Sequence, residues 1–548
     1  MFFENIEKHG DNIALIDAKT GTKITYTQLG QHVKSAALEL GKVRKLIFIE
    51  AQNNINTVIQ YLACLQGGHV CYLLNDLSEH ATQDLISAYN PHILCHKNNN
   101  IEVRHDNSIT LHENLCLLLG TSGSTGSPKF VKLSKTNIAS NAHSIAQYLG
   151  LTPHDRALCH LKLSYSFGLS ILNSHLAVGG SLILTDDNIL EDNFWQDINK
   201  HQATSFSGVP HSFETLLLQK FYPQEYPSLR YITQAGGKLE ADLVSKFSQN
   251  CRKNNIDFYV MYGQTEAAPR ISYLPPSDAE TYPHSIGKAI PDGELFLVNT
   301  DKETIETPDT EGELAYRGPN VMMGYADKTS ELASDETPEM LYTGDLACFN
   351  SAGYFYITGR TKRIIKPFGL RINLDDIQSH VKKTHPKAII TGDDKHIIIA
   401  NEGDLSEAVQ NNYIVLLSQK YKLPPSIFSF KIYENFPLLS NGKYDFKAIL
   451  NENSDEQPKN IWQKFITLLK DVFEINNDAP DSVLALYKKT LNNNKISLED
   501  SFKTLEADSL SYVGLSLSLE NMFGKDLPEQ WQNTSIKELD TLYFHQKI

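Results

Sequence analysis

The chain has 548 residues, 41% hydrophobic and 21% charged, with a formal net charge of −15. That length exceeds one compact core and predicts two to four folding units of a soluble globular protein. The acidic balance argues against nucleic acid as a partner, and no stretch reaches the ~18 apolar residues of a membrane span.

No secretory signal is visible in MFFENIEKHG. The seven cysteines are scattered and form no CxxC pair, so neither a disulfide framework nor a zinc site is expected, and a reducing cytoplasm is the natural location. Residues 1–120 mix strand-length apolar runs such as KLIFIEA (45–51) with helical patterns such as NTVIQYLACLQGG (56–68). The alternation continues past residue 230 and predicts α/β layers around parallel sheet. At 117–134, LLLGTSGSTGSPKFVKLS, an apolar strand runs into a loop of glycines and hydroxyls. Gly120, Gly123 and Gly126 free the backbone to wrap around an anion. Thr121, Ser122, Ser124 and Thr125 supply donors for phosphate oxygens, and Lys129 adds a positive charge. The spacing is not GxxxxGK[ST], so this is not an ordinary P-loop ATPase.

From about 285 to 360, short β-rich runs (ELFLV, GELAYRG, GYFYITGR) broken by Gly, Pro and Asp predict a small barrel or antiparallel sheet. Residues 361–450 read as a compact α+β unit, and the polar NENSDEQPKN at 451–460 as a linker. Ile461, Phe465, Leu468, Leu469, Val472 and Phe473 recur at the spacing of an amphipathic helix. Further helical patterns run from Val483 to Leu491 and from Ser509 to Phe523. From 478 onward the tail holds 11 Asp/Glu against 7 Lys/Arg and reads as a small acidic helical bundle. Within it, Asp508 can cap the helix that follows, and Ser509 stands at the N-terminus, where the helix dipole favours an attached phosphodiester.

The 117–134 segment resembles the phosphate loop of the adenylate-forming superfamily, which includes acyl-CoA synthetases, firefly luciferase and nonribosomal peptide synthetase adenylation domains. Further matches follow in the family's order: ITYTQL (24–29), YLACLQGGHVCYLL (61–74), AGGKL (235–239), MYGQTEAA (261–268), GELAYRGPNVMMGY (312–325), YTGDLA (342–347), GRTKRIIKPFGLRINLDDI (359–377) and PLLSNGKYD (437–445). Phe130 departs from the glycine usual after the loop lysine, and Asn373 from an acid often found there. The tail resembles acyl and peptidyl carrier proteins, and Ser509 matches their phosphopantetheine serine.

The resemblance implies an adenylating core over 1–360 built of two α/β subdomains and a small β-barrel, and a mobile α+β subdomain over 361–450. A linker with an amphipathic helix would span 451–475, and an all-α carrier 476–548. It implies that Thr121, Ser122, Gly123, Ser124, Thr125, Gly126 and Lys129 hold the β- and γ-phosphates of ATP, and that Glu266 is a Mg²⁺ ligand. Tyr262 would stack near adenine beside Gly263, Gln264 and Thr265, with Gly236 and Gly237 allowing close backbone approach. Asp345 would accept both ribose hydroxyls of ATP or AMP, and Arg360 would contact the ribose or the α-phosphate region. Lys443 would bridge the carboxylate and the α-phosphate, Lys362 would be the hinge, and residues 366–371 would line a thiol tunnel.

Amino-acid-activating relatives carry Phe-Asp-x-Ser, where this chain has Phe167-Gly168-Leu169-Ser170 behind Tyr165 at the aromatic gate position. Gly168 cannot neutralise an ammonium, which implies an acid without an α-amino group: fatty, hydroxy or aryl. The implied activity is ATP-dependent formation of acyl-AMP and transfer to a 4′-phosphopantetheine thiol on the fused carrier. A phosphopantetheinyl transferase and a downstream acyl-accepting enzyme would be its partners. A ligase using free CoA, and an amino-acid-activating didomain, remain the alternatives.

Overall fold

The computed structural model describes the chain apart from residues 78–79, 121–128, 219–220, 366, 368–371, 394, 422, 439–443, 452–481, 492–494, 506–514, 516–518, 520–521, 524–526, 528–530 and 545–548. The chain divides into two compact units, Met1–Thr361 and Lys362–Ile548.

The first unit holds two mixed sheets. The seven-stranded one runs Tyr325–Ala326, Phe130–Ser134, Leu115–Gly120, Val70–Leu74, Leu46–Glu50, Ile93–Cys95, Ile101–Val103. The nine-stranded one runs Lys288–Ala289, Arg270–Leu274, Asp257–Gly263, Tyr231–Gln234, Ser205–Gly208, Arg156–Cys159, Ser181–Leu184, Ile13–Asp17, Lys23–Thr25. Their interiors are parallel and their margins antiparallel. Strands such as Leu46–Glu50 are buried at every position, which is why the first four residues of that strand read as an unbroken apolar run rather than an alternating one. Helices enter on side-chain caps. Thr25 and Gln28 close a capping box before Tyr26–Leu40, and Ser134 and Asn137 close another before Lys135–Tyr148. One continuous hydrophobic core joins the two sheets through residues such as Ile47, Leu117, Leu172, Leu182 and Tyr231.

A third sheet orders Glu294–Val298, Gly312–Arg317, Leu341–Phe349 and Phe355–Arg360, antiparallel throughout. It is open, with its first and last strands at opposite edges. Of the small barrel and the antiparallel sheet that the sequence pattern allowed, these strands form the sheet, and the small β-barrel implied by the resemblance is not formed by them. Four strands are too few to surround a packed interior, which takes about eight. The sheet instead buries Leu297, Leu314 and Ala347 in a small core of its own.

In the second unit, Ile389–Gly392, Ile397–Glu402 and Phe428–Tyr433 form a three-stranded sheet, antiparallel then parallel. Ile377, Val381, Ile390, Ile399, Leu417 and Phe428 pack it with helices Leu374–Lys382 and Glu407–Tyr421. A further cluster gathers Val483, Tyr487, Leu515, Leu519, Trp531 and Leu539, with helices at Val483–Thr490 and Ile536–Phe544. The helix expected at 461–473 and the serine at 509 lie outside the described residues. Among the described residues no helix is long and apolar enough to cross a membrane.

Candidate active site

Strands Ser205–Gly208, Tyr231–Gln234 and Asp257–Gly263 are parallel neighbours, so their carboxyl ends share one edge of the sheet. Ligands of open α/β sheets bind at that edge, because the loops there converge while the strands hold them rigid. The turn at 235–239 and the 261–268 segment both lie at it.

In the turn, Gly236 has φ +88°, a conformation L side chains rarely adopt, and a Cβ there would stand 2.9 Å from the Tyr165 hydroxyl oxygen. Tyr165 thus lies directly over the turn. A Cβ on Gly237 would come within 3.0 Å of Pro210. Gln234 Nε2 donates to the Gly237 carbonyl at 2.9 Å and closes the turn from beneath.

Tyr262 stands one residue from the end of its strand with its hydroxyl donating to Asp345 Oδ2, and Arg360 Nε forms an ion pair with Oδ1 of the same carboxylate at 2.9 Å. Asp345 and Arg360 are register partners across two antiparallel strands, so the ladder itself places the charges opposite each other. Asp345 is 6% exposed and the Arg360 side chain 63%. A pair so open contributes little stability. Burial, and then the Asp345 charge, hold the Tyr262 phenol well above its ordinary pKa, so it stays a donor. Among the described residues Oδ2 accepts one hydrogen bond and Oδ1 meets Arg360 as an ion pair, which leaves the carboxylate acceptor capacity that suits a vicinal diol.

Glu266 follows in the same segment. Its Oε1 accepts from the Tyr325 hydroxyl at 2.8 Å, and Lys129 Nζ lies 3.9 Å from the centroid of the Tyr325 ring. Tyr325 therefore links the loop lysine to the acid. Burial, then the Glu266 charge, raise the Tyr325 pKa and keep its hydroxyl protonated. The segment is pinned from behind. Asn320 Nδ2 donates to the Ala267 and Arg270 carbonyls at 2.6 and 2.8 Å, Asn141 Nδ2 to the Arg270 carbonyl at 3.1 Å, and Met322 N to the Glu266 carbonyl at 2.9 Å. Gly263 is required by this fold-back, since a Cβ would meet the Pro269 carbonyl oxygen at 2.0 Å. Gln264 and Thr265 lie in the same loop, and the Gln264 amide donates to that carbonyl at 2.8 Å. No group of three or more metal-ligating side chains occurs among the described residues. Glu266 alone fits a Mg²⁺ that arrives on a phosphate and keeps most of its waters.

Gly168 has a packing reason of its own. A Cβ there would meet the Lys162 and Leu161 carbonyl oxygens at 2.4 and 2.5 Å, so no carboxylate fits at this position in this backbone. Phe167 is buried, and the Arg270 guanidinium lies 4.8 Å from its ring centroid. Behind Phe167 a cavity of about 20 Å³ is lined by Arg270, His175, Ser207 and Thr233 among others. Burial lowers the His175 pKa to about 4, so the ring is neutral; Nδ1 donates to the Ile171 carbonyl and Nε2 accepts from Tyr231.

The structure thus brings Tyr165, Phe167, Gly168, Gly236 and Gly237 into one neighbourhood, joins Tyr262 to Asp345 and Arg360, and links Glu266 to Lys129. Thr121, Ser122, Gly123, Ser124, Thr125 and Gly126, Lys443, Ser509 and most of 366–371 lie outside the described residues. Lys362 falls in a short 3₁₀ turn, Thr361–Arg363, and opens the second unit. Tyr325 and Arg270 were missed as site residues. Tyr325 ends a segment already read as a family match; Arg270 stands two residues beyond MYGQTEAA, and nothing local marks it as buried.

Residues 79–326 match the family described as AMP-binding enzyme. The chain is 29% identical over 364 residues to an oxalate–CoA ligase of Arabidopsis thaliana, covering 62% of this chain and 68% of the ligase. It is 24% identical over 569 residues to tyrocidine synthase 1 of Brevibacillus parabrevis, covering 94% of this chain and 49% of the synthase. The fold is shared with an O-succinylbenzoate coenzyme A synthetase from Bacillus subtilis solved in complex with AMP, at a TM-score of 0.68 and 24% identity over 83% of this chain and 98% of that one. With the motifs in family order, the fold and the family match in agreement, residues 79–326 are part of an AMP-binding domain of the adenylate-forming superfamily.

Proposed function

We propose that this protein activates a carboxylic acid with ATP and passes the acyl group to a pantetheine thiol. A carboxylate oxygen attacks the α-phosphorus, an oxygen–phosphorus bond forms, and the bond to the β-phosphate bridging oxygen breaks as pyrophosphate leaves with its electron pair. Tyr262 and the Gly236–Gly237 turn would border the adenine, Asp345 would take the ribose hydroxyls, and Glu266 would hold the Mg²⁺ that enters with ATP. Lys129 and the hydroxyls at 121–125 would bind the leaving phosphates, and Lys443 would bridge the charge developing on the α-phosphate. A thiolate then attacks the acyl carbon, and AMP departs with the former carboxylate oxygen. The observation that carries this reading is Asp345, buried, hydrogen-bonded by Tyr262 and ion-paired with Arg360, with acceptor capacity left among the described residues.

Ser509 is the proposed attachment point of the thiol arm, and Lys362 the proposed hinge between the two steps. A phosphopantetheinyl transferase would install the arm, and a downstream acyl-accepting enzyme would empty it. The sequence reading of an acidic helical tail with Ser509 at a helix start is what supports a carrier, and the match to tyrocidine synthase 1 extends into that part of the chain. Its 94% share of 548 residues leaves only about 33 outside, so it runs through most of Lys362–Ile548. A tethered thiol works at an effective concentration on the order of millimolar, which favours it over a free one. The second reading, free CoA as acceptor, draws on the relative named for CoA ligation. Intact mass spectrometry of the phosphopantetheinylated chain with ATP and an acid library separates them. Acyl mass retained on the protein and lost in Ser509→Ala supports the carrier; acyl-CoA released at an equal rate by wild type and Ser509→Ala supports the ligase.

A further inference from the structure

Arg270 is 3% exposed, and its Nε is buried without a hydrogen-bond acceptor. Among the described residues no carboxylate pairs with it. Its neighbours are the Phe167 ring face and the Tyr148 hydroxyl, and that hydroxyl donates to Met261 Sδ at 2.9 Å. A cation taken out of water and met by a ring and a phenol is under-compensated, because burial favours charge only where an opposite charge and full hydrogen bonding replace the lost solvent. Arg270 lines the cavity behind Phe167, beside the strand end that carries Tyr262.

The cavity surface is mostly apolar, with Ile145, Leu149, Ile171 and Met261 in its lining, and a few polar groups are set between them. Ser207 and Thr233 hydroxyls lie 2.7 Å apart. Two hydroxyls share one bond between them, so one proton is left to donate. His175 offers nothing further, since both ring nitrogens are engaged. About 20 Å³ suits one or two water-sized groups, such as a carboxylate head, rather than an alkyl chain. Thr233 stands three strand residues before Gly236, which puts the cavity floor within about 10 Å of the turn where activation is proposed.

We infer that Arg270 is the specificity determinant for a second anionic group, and that the substrate is a short dicarboxylic acid activated at one end and held by Arg270, with the Ser207–Thr233 pair, at the other. This rests on the adenylation reading and narrows its substrate class. The positive pocket also disfavours an α-ammonium, independently of Gly168.

The test is acid-dependent ATP–pyrophosphate exchange with the full chain, comparing malonate, succinate and glutarate with propionate, butyrate and valerate, in wild type and Arg270→Gln. The inference expects at least one diacid to exceed its matched monoacid in kcat/KM by on the order of 10²-fold. Arg270→Gln should bring that ratio to near one whatever its effect on the absolute rates, and Arg270→Lys should keep part of the diacid preference. A purely structural role would lower both acids together and leave the ratio intact, and that result overturns the inference. A wild-type preference for monoacids overturns it alone, with adenylation left standing. No exchange with any acid overturns the adenylation reading and this inference with it.

Discussion

Gly168 offers a sharp test of how packing shapes the acyl pocket. In Gly168→Ala the new Cβ would stand 2.4 and 2.5 Å from two carbonyl oxygens, where real Cβ atoms do not come below 3.0 Å. Both carbonyls, at Lys162 and Leu161, must therefore retreat by at least about half an ångström, and overpacking of this kind costs about 1–3 kcal/mol. Unfolding entropy of about 2.1 cal/mol/K per residue gives Met1–Thr361 roughly 0.8 kcal/mol/K, so the melting temperature should fall by about 1–4 °C. Gly168→Asp adds an unpaired carboxylate facing those same oxygens, worth about 3–5 kcal/mol more, and should melt about 5–10 °C below wild type. Differential scanning calorimetry reads both shifts, and amino-acid-dependent pyrophosphate exchange reads any gain of function. If Gly168→Asp melted within 1 °C of wild type and activated an amino acid, the steric reasoning would be refuted.

Four other outcomes are expected. Asp345→Asn replaces a charged double acceptor by a single neutral one and should raise KM for ATP by about 10–10²-fold in steady-state kinetics; an unchanged KM contradicts the ribose assignment. Glu266→Gln should lower kcat for adenylation by about 10²-fold with little rescue by excess Mg²⁺, measured over a Mg²⁺ titration. Lys443→Ala should slow adenylate formation by about 10²–10³-fold yet spare thioester formation from supplied acyl-adenylate, and equal damage to both steps would contradict its role. Because burial lowers the His175 pKa to about 4 from an unfolded value of 6.5, the unfolded chain binds the extra proton below pH 6.5. Its contribution, on the order of 3 kcal/mol, is fully present above pH 6.5 and is lost as pH falls toward 4. Because burial also lowers His69 and His160 to about 4, the change in urea midpoint from pH 7.5 to 4.5 is compared between wild type and His175→Gln, and an equal change in both would refute it.

The α/β layering was legible because strands buried on both faces are forced toward apolar runs, as in LIFI at 46–49 and LCLLL at 115–119. The site was legible where a loop carries its own chemistry: Tyr262 and Glu266 are four residues apart, and the acid Asp345 stands in the short YTGDLA segment. What the sequence hid is tertiary. Gly168 reads as a missing carboxylate, yet the atoms that exclude a side chain belong to backbone six and seven residues upstream. Nothing in the sequence around Arg270 marks it as buried. Its burial depends on Tyr148 and Phe167, which reach it from two helices over 100 residues earlier in the chain. Barrel and antiparallel sheet both stayed open at 285–360 because short Gly-punctuated strands look alike whether a sheet closes or stays open; only their number and pairing decide.

Transfer of carboxylate oxygen to the nucleotide tests the account at its centre. Incubating the protein with ATP, Mg²⁺ and a substrate acid labelled with ¹⁸O in both carboxylate positions, with hydroxylamine to release the acyl group, should yield AMP carrying one ¹⁸O atom. Label in inorganic phosphate alongside ADP, or AMP formed without label, would contradict it.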